Sequence, residues 1–332
     1  MSMLNNKKIY LLIFLYFLTR LINLNSLPVF ADEAIYIRWS QIIINDISKA
    51  FIPMYDGKPP LFMWIIIPFL KLIQDPLIAA RLLSVFLGLG VIIFIYKSTC
   101  NFFSEKSAYL ATAIAITCPF LFIYNRMALI ESLLIFTLSL QIFFLSLYYK
   151  DNKLRYIILS GLAWGLSMLS KTTAFFFFVL YLPTSFYLKE LNLLKFNTLP
   201  KVAIKNKKII FSLFLAGLLG IGLFALTKLS VFFPFLFTRS RDFSYTMSEF
   251  INREVYYISV RAIKIFKWAG YYASPLLALV FLSSAALFFK KDETKKDIIF
   301  HFWLFIIVLI IPLVTFGKIL APRYLLPIIM PV

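Results

Sequence analysis

The chain alternates apolar runs of bilayer length with short polar connections. The runs are Ile9 to Val29, Leu77 to Tyr96, Ser107 to Tyr124, Ser132 to Tyr149, Tyr156 to Ser170, Thr173 to Leu188, Ile209 to Leu229, Tyr271 to Phe289 and Ile298 to Phe316. At about 15 to 22 residues each, they predict about nine spanning helices. Pro59 to Ile73 is also apolar, but it opens on Pro59-Pro60 and contains Pro68. As a helix it would be only about 22 Å long, so it predicts an interfacial or re-entrant helix in the first outward loop. The expected fold class is therefore an all-α polytopic membrane protein, a single helical bundle over residues 1–332, in which residues 30–76 form the first loop outside the cytoplasm. The last residues, Arg323 to Val332, read as the start of a further helix too short to cross, so the chain is expected to be truncated at its C-terminus.

Composition agrees with that pattern. The 332 residues are 61% hydrophobic with a mean hydropathy of +0.88, beyond what a soluble domain carries. The net charge of +19 falls in short clusters between apolar runs, which points to membrane lipids rather than nucleic acid. If Pro59 to Ile73 does not span, Lys7-Lys8, Lys97 and Lys106, Lys150 to Arg155, Lys189 to Lys208 and Lys290 to Lys296 all share one side. By the positive-inside rule that side is the cytoplasm, which makes the N-terminus cytoplasmic in an inner (plasma) membrane. Lys7 and Lys8 precede the first apolar run as in a signal peptide, but no small-residue cleavage site follows, so a retained first helix is expected. Lys189 to Lys208 reads as a solvated linker. Cys100 and Cys118 read as apolar fillers, and the one histidine, His301, as a boundary residue.

Four groups then face outward. Asp32-Glu33, with Tyr36, follows the first helix, which holds Arg20. Acids at a membrane boundary are functional candidates; a solvated loop or a helix cap is the competing reading, and one of the two acids is the expected partner of Arg20. Lys58 leads through Pro59-Pro60 to Trp64, and suits either a lipid phosphate or a snorkelling position at the headgroups. Arg81, Arg126 and Glu131 gather at one boundary as an ion-pair network or as part of a site. Lys171 follows a small-residue face at Gly161 and Gly165, with no carboxylate next to it in sequence, and so invites a phosphate. Thr238 to Lys267 reads as an amphipathic helix along the interface, with shaping of the acceptor side as the alternative. A carboxylate among phosphate-capable cations suits group transfer from a phosphorylated lipid. The acid takes a proton from the acceptor hydroxyl and the cations stabilise the departing phosphate. Walker, dinucleotide-fold, zincin and Ser-His-Asp patterns do not occur.

As a set, Arg20, Asp32-Glu33-Ala34-x-Tyr36, Lys58-Pro59-Pro60-Leu61-Phe62-x-Trp64, Ala80-Arg81-Leu82-Leu83-Ser84, Gly161-Leu162-x-x-Gly165-Leu166 with Ser170-Lys171, and Arg323-Tyr324-Leu325-Leu326-Pro327 resemble one superfamily. It is that of the polyprenyl-phosphate-dependent glycosyltransferases of the GT-C fold, which includes protein O-mannosyltransferases and bacterial lipid A aminoarabinose transferases. The resemblance implies a GT-C helical bundle and inverting transfer of a sugar from a polyprenyl-phosphate donor to a lipid, glycan or protein acceptor outside the cytoplasm. It makes Asp32 the general base, with Glu33 pairing, capping or positioning beside it. It gives Lys58 and Lys171 the donor phosphate, with Arg81 and Arg323 as further candidates. Members usually carry an aspartate after the third helix; Glu131 stands nearest here as a possible second acidic site. No cofactor is evident. The outward loops lack histidine, which argues against a His-containing metal site, and the residues do not decide divalent-metal dependence. A transporter or flippase for lipid-linked sugars is the alternative, disfavoured because the ionisable residues collect at the boundary and not the midplane.

Overall fold

The computed structural model describes residues 7–185, 207–239, 242, 244–252, 255–273, 283 and 293–329. These residues are helical, with one isolated bridge between Ser244 and Gly317 as the only extended pairing among them. The chain runs through α1 (Lys7–Leu21), α2 (Ala31–Asn45), α3 (Leu61–Leu72), α4 (Pro76–Phe102), α5 (Glu105–Thr117), α6 (Pro119–Tyr124), α7 (Ile130–Asp151) and α8 (Arg155–Ser170). A 3-10 helix (Thr172–Ser185) follows, then α9 (Lys207–Ala225), α10 (Val255–Ala273) and α11 (Glu293–Thr315).

Among the described residues four helices are long and apolar enough to cross a bilayer: Pro76–Phe102, Ile130–Asp151, Lys207–Leu229 and Ile298–Thr315. Of the other expected spans, Ile9 to Val29 shortens to α1. Ser107 to Tyr124 breaks at Cys118 because Pro119 cannot continue α5 and instead opens α6. Tyr156 to Ser170 is α8, and Thr173 to Leu188 is the 3-10 helix as far as Ser185. Tyr271 to Phe289 lies almost wholly outside the described residues, as do most of Lys189 to Lys208 and the first three residues of Lys290 to Lys296.

Caps fix the helix ends near the site. Asp75 opens α4, its carboxylate accepting from the Leu77 and Ile78 N–H groups at 2.8 and 3.0 Å, with Pro76 in the first helical position. Asn152, at φ 51°, ends α7 in the left-handed conformation that asparagine tolerates. Large apolar side chains such as Phe14 and Leu18 on α1, and Phe214 and Leu218 on α9, stay exposed, which marks lipid-facing sides.

The loop between α1 and α4 is a small helical layer on the end of the bundle. Tyr36 and Ile43 of α2, Phe62, Met63 and Ile66 of α3, Leu83 and Leu87 of α4, and Leu129 and Leu133 at the start of α7 form one buried cluster. Hydrogen bonds pin the layer: Ser40 Oγ donates to the Met63 carbonyl at 3.0 Å, and Trp64 Nε1 to the Ala50 carbonyl at 2.7 Å. The α3 helix has 12 residues, about 18 Å at the α-helical rise, so it packs beside α2 and does not cross.

The 3-10 helix is braced from three sides, which compensates the poorer hydrogen bonding of that conformation. Gln141 Nε2 donates to Phe177 O at 3.2 Å and Trp164 Nε1 to Ala174 O at 2.9 Å, while His301 Nε2 meets Val179 O at 3.2 Å. The sole histidine, which lies inside α11 and not at its end, thus has a packing role. The α8 and α9 helices press together at glycines: a Cβ on Gly161 would lie 2.4 Å from Ala216 O, and one on Gly165 would lie 2.9 Å from Gly220 O. The small-residue face read from the sequence is this contact.

Candidate active site

Asp32 and Glu33 occupy the first turn of α2, where acids complement the helix dipole, but adjacent positions turn them in different directions. Glu33 is fully buried. Its Oε1 accepts from Arg81 Nε at 2.9 Å and the Ala128 N–H at 2.8 Å, and its Oε2 accepts from Arg81 Nη2 at 2.8 Å and the Phe30 N–H at 3.0 Å. Arg81, equally buried, directs its remaining N–H groups to the carbonyls of Leu24, Leu27 and Pro28 at 2.9, 3.0 and 3.3 Å. All five of its donors are engaged, so it clamps the α1–α2 connection and offers no free donor to a ligand.

Asp32 turns to the surface, with its side chain 16% exposed. Arg323 Nη1 donates to its Oδ2 at 2.5 Å, and Lys58 Nζ lies 3.6 Å from its Oδ1. Arg323 also lies against Glu131, Nε to Oε1 at 3.6 Å, and Lys171 Nζ donates to that oxygen at 2.9 Å. Lys58, Arg323 and Lys171 therefore form an arc of cations around two carboxylates. Aromatic faces line the arc: Tyr36 and Trp39 lie 5.3 and 5.4 Å from Lys58, Tyr324 lies 4.6 Å from Lys171, and Phe30 lies 5.4 Å from Arg323. Burial raises the Tyr36 phenol pKa well above its usual value, and the Glu131 and Asp32 charges add to that, so the ring stays neutral. At Arg323 burial acts to lower the pKa, but Glu131 and Asp32 outweigh it, and the net direction is upward.

Distant segments build this arc. Arg323 and Tyr324 face the site from a 3-10 turn (Pro322–Leu325) whose Leu325, with Leu326 beyond it, packs into the core against residues such as Tyr16 and Val85. The turn is steadied by the Tyr245 N–H donating to Phe316 O at 2.6 Å and by Arg261 Nη2 donating to Lys318 O at 3.0 Å. The segment expected to lie along the interface thus also braces Arg323; its Arg241, Arg253 and Glu254 lie outside the described residues.

Several expectations change. Arg20 pairs with neither acid; it is buried, donates to Thr19 Oγ1 at 2.7 Å and lies 5.0 and 5.1 Å from the rings of Tyr16 and Phe122, whose faces attract a desolvated cation. Arg126 does not meet Glu131. It donates to the carbonyls of Thr19 and Asn23 at 3.2 and 2.5 Å, and so fastens the end of α1. Lys171 has a carboxylate partner after all, because the fold carries Glu131 across 40 positions to it. Sequence reading gave no role to Tyr324 or to Asp56, the partner of Lys58 on its other side at 3.0 Å. Asp56 stands two positions before Lys58 across a glycine, a turn spacing that sets side chains together.

Residues 57–221 match the family described as dolichyl-phosphate-mannose-protein mannosyltransferase. The fold is similar to the crystal structure of ArnT from Cupriavidus metallidurans in the apo state, with a TM-score of 0.59 and 16% identity over 98% of this chain and 57% of that one. This chain thus spans a little over half the length of that solved relative, and the likeness shows the fold. No curated protein sequence matches the chain. The family match thus covers residues 57–221, just under half of the chain, and the chain folds as a helical bundle similar to that of ArnT.

Proposed function

We propose that the protein is an integral membrane glycosyltransferase that moves a sugar from a polyprenyl-phosphate donor to an acceptor hydroxyl outside the cytoplasm. The observation that carries this reading is Asp32 held between Lys58 and Arg323, with Lys171 completing the arc of cations. A polyprenyl-phosphate sugar is a phosphodiester with one negative charge. In transfer the bond from the anomeric carbon to the phosphate oxygen breaks, and the leaving phosphate gains a second charge. Fixed cations favour that developing charge over the ground state.

Asp32 is the base in this reading. The acceptor oxygen bonds to the anomeric carbon as its proton passes to Asp32. A donor phosphate gives Lys58 and Arg323 another anion to hold, and so frees a carboxylate oxygen of Asp32 for the acceptor. Glu33, saturated by four N–H groups, positions the turn that presents Asp32, and Arg81 acts through Glu33 and not on the phosphate. Glu131 holds Lys171 and Arg323 in place. The Lys distribution orients the site outward from an inner membrane.

The test is product analysis in detergent with a panel of polyprenyl-phosphate sugars, where no gradient exists to drive transport. Transfer from one of them, lost in Asp32→Asn, is the expected result. Absence of transfer together with translocation of lipid-linked sugar across vesicles would establish the transporter reading instead.

A further inference from the structure

We propose that Asp56, braced by Arg239, is a positioning residue that sets the Lys58 ammonium between the donor phosphate and Asp32; this deepens the glycosyltransferase reading and rests on it. Lys58 Nζ stands 3.0 Å from Asp56 Oδ2 and 3.6 Å from Asp32 Oδ1. The other Asp56 oxygen accepts from Arg239 Nη2 at 3.1 Å, and Arg239 Nη1 continues to Asp242 at 3.0 Å.

Local geometry brings these groups together. Gly57 sits at φ 71°, where a side chain is strained, and its turn places Asp56 and Lys58 side by side. The segment after α9 seats on that turn: a Cβ on Gly57 would lie 2.7 Å from the Arg239 Cβ, and the Tyr55 ring packs against Phe235 with centroids 5.3 Å apart. Arg239 is thereby delivered to Asp56 across 183 positions.

The Arg239–Asp56 pair is too exposed, at 46% and 37%, to matter as a stabilising contact. Its consequence lies in Lys58. With Asp56 in place, the ammonium is shared between two carboxylates and stands off Asp32. Without Asp56, Asp32 is the one carboxylate left beside Lys58, which closes on it and competes with the acceptor proton for the base.

A double-mutant cycle on turnover tests this in the full-length chain in detergent. Asp56→Asn is expected to lower kcat roughly tenfold without raising the donor KM, and to have little further effect in a Lys58→Gln background. Equal losses in both backgrounds would overturn the proposal. Arg239→Gln, which removes the brace but leaves Asp56 beside Lys58, is expected to lose less than Asp56→Asn; an equal loss would mark Asp56 as a loop tether only. If the wild type transfers no polyprenyl-linked sugar, the functional reading fails by itself. The cycle is then read on undecaprenyl phosphate affinity by native mass spectrometry. There Asp56→Asn is expected to tighten binding roughly threefold only when Lys58 is present, and no difference would overturn the positioning role.

Discussion

Glu33 and Arg81, 48 positions apart, meet in a two-toothed ion pair at 2.9 and 2.8 Å, with both side chains closed to solvent. The pair is the hub of a larger set, because Glu33 also receives the Ala128 and Phe30 N–H groups and Arg81 serves three carbonyls of the α1–α2 connection. Removing one partner of a buried pair strands a charge, at a cost of about 3–5 kcal/mol. Glu33→Leu and Arg81→Met are each expected to lower the melting temperature in detergent strongly. An isolated pair replaced on both sides often regains its stability. Here the double variant leaves two N–H groups and three carbonyls unmet, so it is expected to recover only part of the loss. Full recovery in a thermal melt would show that the backbone contacts are incidental.

Asp32 differs from its neighbour in every respect that matters for chemistry: it is at the surface, held by side chains, and free of backbone donors among the described contacts. Asp32→Asn keeps the shape and can still accept from Arg323. The expected result is a fall in sugar transfer of roughly 10²–10⁴-fold with a melting temperature close to wild type. Loss of both together would instead place Asp32 with Glu33 as a structural residue.

That division between adjacent acids marks how far the sequence could be read. The helical class, the lipid-length runs, the short α3 and the small-residue face at Gly161 follow from local pattern, because period, length and residue size are properties of neighbours in the chain. The acidic doublet was visible for the same reason. Its partners were not. Arg81 rather than Arg20 receives Glu33, and Glu131 stands beside Lys171, because ion pairing across 40 or more positions is set by where helices pack and leaves no trace in spacing. Arg323 reads from the sequence as a further candidate for the donor phosphate, and the packing of Leu325 and Leu326 into the core turns it onto both Asp32 and Glu131.

The two site lysines are expected to fail differently. Lys58 stands over Tyr36 and Trp39, and its loss leaves Asp32 with Arg323. Lys58→Ala should weaken donor use with little change in melting temperature. Lys171 is the close partner of Glu131, whose side chain is 2% exposed and among the described residues has otherwise only Arg323 at 3.6 Å. Lys171→Ala should therefore weaken donor use and destabilise the fold, by about 1–3 kcal/mol for a buried carboxylate left short of donors. Adding Glu131→Gln removes the stranded charge, so the double variant is expected to regain stability without regaining donor affinity. Measuring melting temperature and donor KM on all three variants separates the two roles.

The contact between α8 and α9 gives a prediction with an internal control. A Cβ on Gly161 would lie 2.4, 2.6 and 2.8 Å from the carbonyl oxygen, Cα and carbonyl carbon of Ala216. These are backbone atoms, so no rotamer change relieves the clash and the helices must separate. Gly161→Ala is expected to cost about 1–3 kcal/mol, as overpacking does. Because α8 ends at Ser170, one position before Lys171, the same variant should also weaken donor use. Gly217, on α9, has no atom within 4 Å of an added Cβ. There alanine restricts the unfolded chain and suits a helix better than glycine, so Gly217→Ala is expected to be neutral or to stabilise by about 0.5–1 kcal/mol. Thermal melts of the two variants, which make the same chemical change on facing helices, should show a loss at Gly161 and none at Gly217. A loss at both positions would mean that glycine is kept there for helix flexibility and not for close approach.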